Sequence, residues 1–242
     1  MEHSVLNIPI FRLSIAFIPV LIVVVLHYKW SLRPKNILYA ISRMLGQLLI
    51  IGYLLTYIFQ SNKFWMVIMV IAMMVFFSGW IALRTVNEQR QSLVLIALLS
   101  ILIGGGLTLT VISQGVLNLQ PWYMPRYLIP LAGMIFANAM NSVSLAADRI
   151  KAEIERNTVF EKARNTAFQT SLIPMINAFF AVGLVSLPGM MTGQILSGTS
   201  PLLAVRYQIM VMCMVFSSAG ISTAIFLTLL KNKVEVFRGV QV

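Results

Sequence analysis

The chain has 242 residues, is 59% hydrophobic, has a mean hydropathy of +0.87 and carries a formal net charge of +11. A soluble domain of this length cannot hide that much apolar surface, so the composition excludes one and specifies an integral membrane protein. The basicity would suit nucleic acid in a soluble protein, but its distribution along this chain accounts for it without a nucleic-acid partner.

Apolar runs long enough to span a bilayer fall near residues 9–28, 37–59, 64–83, 92–113, 127–147, 167–187 and 205–230. At roughly 20 residues per span, these leave only short loops. The predicted architecture is therefore an all-α integral membrane protein of about seven transmembrane helices, one transmembrane domain over residues 1–242. Residues 167–204 also admit a second arrangement, one span plus a re-entrant piece. The first run lacks a small-residue cleavage site and ends in Lys29, Arg33 and Lys35, so it reads as a retained span rather than a signal peptide. With alternating spans and an external N-terminus, 14 of the 18 Lys and Arg residues fall inside: Lys29, Arg33, Lys35, Arg43, Arg84, Arg90, Arg149, Lys151, Arg156, Lys162, Arg164, Lys231, Lys233 and Arg238. Only Arg12, Lys63, Arg126 and Arg206 fall outside. This bias predicts a multi-pass protein of the inner (plasma) membrane, with an internal C-terminus and with residues 29–35 and 148–164 in the cytoplasm.

Much transport chemistry is missing from the spans. The seven acidic residues are Glu2, Glu88, Asp148, Glu153, Glu155, Glu161 and Glu235, and none lies mid-span. His27 sits at the end of the first span beside Tyr28 and Trp30, as an interfacial residue. Proton-driven carriers need a titrating relay in the membrane, so that class is disfavoured; a sodium-coupled carrier using backbone carbonyls stays open. Gly104-Gly-Gly106 has no following Lys-Ser/Thr and cannot cradle phosphate; close helix packing is its ordinary use. The lone Cys213 permits neither an intramolecular disulfide nor a cysteine metal cage. The chain reads as a non-enzyme that binds no cofactor, so any uphill transport must draw its power from another polypeptide.

Three later segments carry the functional signal. In residues 125–144, Pro130 is predicted to break a span, Gly133 and Ala137 form a small-xxx-small face, and the amides of Asn138 and Asn141 need partners. The charged segment 148–166 follows. Arg149–Glu153 and Lys151–Glu155 are spaced to pair along a helix, while Ile150, Ile154 and Phe160 give it an apolar side. It is either a solvated connector or the docking surface for a peripheral ATPase, through Arg149, Lys151, Glu153, Ile154, Glu155 and Phe160. Residues 183–201 then interrupt two apolar runs: Pro188 removes a backbone donor, and Gly189, Gly193 and Gly198 weaken helix. Such a stretch is an external loop or a transport site, since freed backbone groups in lipid must face protein or a watery cavity. Met66, Met69, Met73, Met74, Met210, Met212 and Met214 read as apolar filler. Met190 and Met191 follow the break, where packing is still the first reading; thioethers suit soft ions such as Cu(I), and an oxygen-loving metal would rather use carbonyls near Pro188 and the side chains of Ser186, Thr192, Gln194 and Asn138.

The stretch Leu184-Val-Ser-Leu-Pro-Gly-Met-Met-Thr-Gly-Gln-Ile195, with Ser200-Pro201 and Val205-Arg-Tyr-Gln-Ile-Met-Val211, closely resembles the FetB-like family of ABC-transporter permeases. Pro130-Leu-Ala-Gly-Met134, Asn138-Ala-Met140 and, more weakly, Arg43, Gly46 and Gln47 extend the likeness over most of the chain. The family is linked to iron export in bacteria, with plant relatives connected to aluminium tolerance. The resemblance implies a permease domain that works as a homodimer with two copies of an ATP-using ATPase subunit and passes a metal ion. On that reading the translocation path involves Asn138, Asn141, Ser186, Pro188, Gly189, Met190, Met191, Thr192, Gly193 and Gln194. One departure stands out. Relatives carry a longer cytoplasmic segment ending in Leu-Gly-Ala, whereas Arg156-Asn-Thr-Val159 runs straight on here, through a shortened coupling element or through missing residues. The other classes left open are a membrane scaffold for a cytoplasmic partner and an ion-coupled carrier or channel.

Overall fold

Long runs of Val, Ile, Leu, Phe and Met, punctuated by Pro, Gly and Asn, form a chain of helices in this computed structural model. It describes residues 8–30, 34–60 and 63–237, the side chains of 34–36, 235 and 236 excepted. Glu2, Arg33 and Arg238 lie outside the described residues. The helices are α1 (Ile10–Ile15), α2 (Phe17–Lys29), α3 (Pro34–Gln60), α4 (Phe64–Ala82), α5 (Arg90–Thr110), α6 (Pro125–Glu155), α7 (Phe160–Ala181), α8 (Gly189–Leu196) and α9 (Pro201–Leu230). A 3-10 turn over Arg84–Gln89 leads into α5, a π-helical turn over Val111–Val116 extends it, and a second 3-10 turn, Lys231–Phe237, follows α9. Among the described residues, six stretches are long and apolar enough to cross a bilayer: Ile10–Lys29, Ile37–Gln60, Phe64–Ala82, Arg84–Val116, Pro125–Glu155 and Pro201–Val234. The chain is an all-α membrane protein, as its composition requires. The seventh predicted span is α7, whose 22 residues have the length, about 33 Å at 1.5 Å per residue. Asn165, Thr166, Gln169, Thr170, Ser171 and Asn177 dilute its apolar character.

The described residues fall into two compact units, one within 8–60 together with 196–198 and one within 63–195 together with 199–237. In the first, α2 and α3 face each other across an apolar groove lined by Phe17, Val20, Leu21 and Val24 on one side and Leu38, Ile41 and Leu45 on the other. These positions recur every three or four residues, so each helix presents one stripe. No residue of α1 or α2 is buried, which suits helices whose solvent is lipid.

The second unit is built around α5, α6 and α9, with α4 and α7 packed outside. Lipid is as apolar as leucine, so close packing rather than water exclusion must hold these helices together. Small residues supply it. A Cβ on Gly104 would come 2.6 Å from the backbone nitrogen of Ser222, and one on Gly105 would come 2.6 Å from the ring of Phe136. The predicted close-packing role of Gly104-Gly-Gly106 thus rests on its first two members. Ile101 of α5, Ile135 and Phe136 of α6 and Phe226 of α9 are fully buried around them. Hydroxyls add two cross-helix ties: Ser218 donates to the carbonyl of Ile135 at 3.4 Å, and Ser142 to that of Ser171 at 3.2 Å.

The prolines act differently from one another. α6 continues through Pro130, where the sequence predicted a break. Pro130 lies in the second turn, so its missing N–H forfeits one bond to the carbonyl of Arg126 and the later ladder persists. Around Pro188 the chain does leave the helix. Gly183 takes φ +81°, and the carbonyl of Ala181 gathers the N–H groups of Leu184, Val185 and Ser186. The short α8 follows, ended by Gly198 at φ +91°. Residues 167–204 are therefore one helix ending at Ala181, a tight turn and a short helix, rather than a span reaching residue 187.

Candidate functional site: two cavities on one face of α6

Tyr127, Pro130, Met134, Asn138, Asn141 and Leu145 recur at three- and four-residue spacing, which makes them one stripe along α6. Two cavities open along it. The first, about 280 Å³, is lined by Arg126, Tyr127, Pro130, Leu131 and Met134 of α6, Met190 and Gln194 of α8, and Leu203, Tyr207 and Met210 of α9, with Leu117 and Thr199 at its edge. Arg126 is exposed. Gln194 Oε1 is buried there without a hydrogen-bond partner. The second, about 330 Å³, is lined by Asn138, Asn141, Ser142, Ser144 and Leu145 of α6 and by Ser171, Pro174 and Met175 of α7. It holds amides and hydroxyls and no charge. Asn138 Nδ2 donates to the carbonyl of Met134 at 2.8 Å, so its own helix satisfies part of that amide.

The expected translocation path takes in both 138–141 and 186–194; the geometry divides them between the two cavities. Met190 and Gln194 join Pro130 and Met134 in the first cavity, while Asn138 and Asn141 open into the second. Both cavities use the same face of α6, and Pro130 and Asn141 are separated by about 16 Å along the axis at 1.5 Å per residue. Ser186 is exposed at the turn, where its carbonyl accepts the N–H of Gly183 at 3.0 Å. The carbonyl of Pro188 accepts from Thr192 Oγ1 at 3.1 Å, and Met191 and Thr192 are half-buried outside both linings. Gly189 and Gly193 are not close-approach positions in this chain, because a Cβ on either meets nothing within 4 Å. Sequence reasoning missed Arg126, Tyr127, Tyr207 and Met210 in the first cavity and Ser144, Ser171, Pro174 and Met175 in the second. For the α6 members the stripe itself was the available signal.

The charged segment is a helical hairpin. α6 ends at Glu155, and Asn157 takes φ +59°. The N–H of Asn157 reaches the carbonyl of Ile154 at 2.9 Å and that of Thr158 reaches Glu153 at 3.1 Å, the paired bonds of a Schellman C-terminus. Arg149 pairs with Glu153 at 2.6 Å, Arg156 approaches the same carboxylate at 3.9 Å, and Thr158 donates to it at 3.1 Å. Lys151 lies 3.8 Å from both Glu155 and Glu88. The expected apolar docking side is not outward-facing: Ile150 and Ile154 are buried against the unit's own helices. Asp148, Glu155, Arg156, Asn157, Val159, Glu161 and Lys162 are exposed, with Phe160 and Lys151 half-buried and an exposed Glu88 contributed by the neighbouring turn. Lys233 Nζ, from the turn after α9, donates to the carbonyl of Ser92 at 3.2 Å. The basic segments around 84–92, 149–156 and 231–233 therefore share one end of the unit, and Arg126 stands at the other end of α6.

The model of the uncharacterised protein family UPF0014 matches residues 10–161 and 154–234, which takes in both cavities and the hairpin. The chain belongs to this family. Relatives include the UPF0014 membrane protein slr1647 of Synechocystis, 36% identical over 78% of each chain. The probable iron export permease protein FetB of Escherichia coli is 31% identical, over 93% of this chain and 90% of its own. The protein ALUMINUM SENSITIVE 3 of Arabidopsis thaliana is 33% identical, over 86% of this chain and 81% of its own. No solved structure matches the chain. The two UPF0014 segments overlap at 154–161, on the α6–α7 hairpin.

Proposed function

We propose that this UPF0014 protein is the membrane-spanning permease subunit of an ABC-type exporter, passing a metal ion, with iron as the first cargo to test. The observation that carries the reading is the stripe from Tyr127 to Leu145 on α6, which opens two successive cavities, each mostly apolar but with amides, hydroxyls or a guanidinium in its lining. Polar groups at membrane depth are costly unless they meet protein, water or cargo. Both linings lack carboxylate and imidazole, which disfavours proton coupling and supports an external energy source. The probable iron export permease among its relatives supports the cargo. A homodimer follows from the same physics. Asn141, Gln169 and Asn177 are exposed on the α6–α7 side, and amides facing hydrocarbon are expensive, so a second copy covers that side. The hairpin end faces the cytoplasm and receives the ATPase, in keeping with its gathered basic residues.

The test is metal flux into inverted vesicles containing the protein and its ATPase. Iron should accumulate only with ATP, and Asn138→Leu should abolish flux while the protein still inserts. ATP-independent flux, or normal flux in Asn138→Leu, would overturn the proposal.

A further inference from the structure

Three thioethers from three helices line the first cavity: Met134 of α6, Met190 of α8 and Met210 of α9. Each sits on the same helical face as another lining residue. Pro130 lies four residues before Met134, Gln194 four after Met190, and Tyr207 three before Met210. α6 and α9 pack directly against each other, which fixes Met134 and Met210, while the short α8, with no buried residue, brings Met190 to the same lining between its flanking turns. Other methionines behave differently. Met69 and Met73 share α4 alone and are 59% and 44% exposed, against 36% for Met190; what sets them apart is that no second helix brings them a thioether partner in either cavity.

The donor chemistry of this cavity selects an ion class. Its lining contains no carboxylate, imidazole or thiolate, and its single charged residue is the cationic Arg126. Hard ions such as Fe(III), Al(III) or Mg(II) need several oxygen ligands, usually anionic, and repulsion from a guanidinium grows in proportion to their charge. A soft monovalent ion needs only neutral sulfur donors and feels the smallest repulsion, which solvent screens further because Arg126 is exposed. Gln194 Oε1, buried without a protein partner, offers a neutral fourth donor. The second cavity, with amides and hydroxyls and only one thioether, has the opposite preference.

We infer that the first cavity is a binding site for a soft monovalent ion, Cu(I) or Ag(I), held by Met134, Met190 and Met210 with Gln194 as a neutral companion. This rests on the metal-export reading but departs from its iron cargo, because the ion class assigned to the first cavity differs from the one the second cavity suits. Binding needs neither ATPase nor ATP, so it is measured separately from flux, and either claim can fail without the other.

The experiment uses the full-length protein in detergent with Cys213→Ser, because that exposed thiol is itself a soft ligand. Ag(I) is titrated calorimetrically in chloride-free buffer. One saturable site per chain is expected, unaffected by equimolar Fe(II). Met134→Leu, Met190→Leu and Met210→Leu conserve volume. Each should weaken binding about tenfold or more, in the range for lost metal-site partners, and the triple variant should abolish it. Met69→Leu with Met73→Leu should change nothing. A second readout leaves all three methionines in place: bound Ag(I) should protect them from oxidation by peroxide, followed by mass spectrometry. An unchanged titration in the triple variant, competition by Fe(II), or oxidation of these methionines at the same rate with and without Ag(I) would overturn the assignment.

Discussion

Gly104 and Gly106 are two residues apart in one helix and face different neighbours. A side chain at Gly104 would collide with the backbone of Ser222, while one at Gly106 meets nothing within 4 Å. Gly104→Leu should therefore push α5 from α9 and cost about 1–3 kcal/mol, the usual range for overpacking. Gly106→Leu should be close to neutral. Thermal unfolding in detergent, read by loss of the monodisperse peak in size exclusion, separates the two; equal melting temperatures would mean that the α5–α9 contact is looser than described. Asn157 poses a backbone version of the same question. It occupies the left-handed region at φ +59°, where glycine is at ease and a β-branched residue is strained by about 1–2 kcal/mol. Asn157→Gly should be neutral and Asn157→Val destabilising by that amount in the same assay. If both substitutions at this position were tolerated equally, the hairpin would not close through this motif.

Helices, rather than residues, decide what the charged segment can bind. Because α6 turns Ile150 and Ile154 inward, any partner at the hairpin must be held mostly through exposed polar groups. Glu153 is a poor probe of docking, since it joins Arg149, Arg156 and Thr158 within the hairpin itself. Exposed surface ion pairs are worth about 0–1 kcal/mol, so reversing Glu88 and Glu155 should leave the fold intact. Glu88→Lys with Glu155→Lys is expected to abolish ATPase copurification without changing the melting temperature. Undiminished copurification would move the docking surface off the hairpin. Pro130 and Pro188 make a related point at the scale of helices. Both residues remove a donor, yet only the second lies in a break, because Gly183 supplies a turn just before it, whereas Pro130 is embedded near the start of a 31-residue helix.

At the scale of the whole molecule, the basic segments around Arg84–Arg90, Arg149–Arg156 and Lys231–Lys233 share one end, which should be the cytoplasmic one. In a Cys213→Ser background, a cysteine at position 118 should react with an impermeant reagent in intact cells and one at 155 should not. The opposite pattern would invert the molecule and remove the hairpin from the reach of an ATPase. That these segments belong on one side was legible in the sequence, because hydropathy and charge bias depend on composition along the chain and on nothing distant. The same local physics determined the helical class, most of the spans and the break near Pro188. The cavities were legible only in part. Which residues of α8, α9 and α7 meet the α6 stripe depends on the crossing of helices, and small residues such as Gly104 set those crossings through contacts far apart in sequence. Tertiary structure alone therefore decided that Asn138 and Met190 belong to different cavities, that Ile154 faces inward, and that three methionines from three helices share one wall.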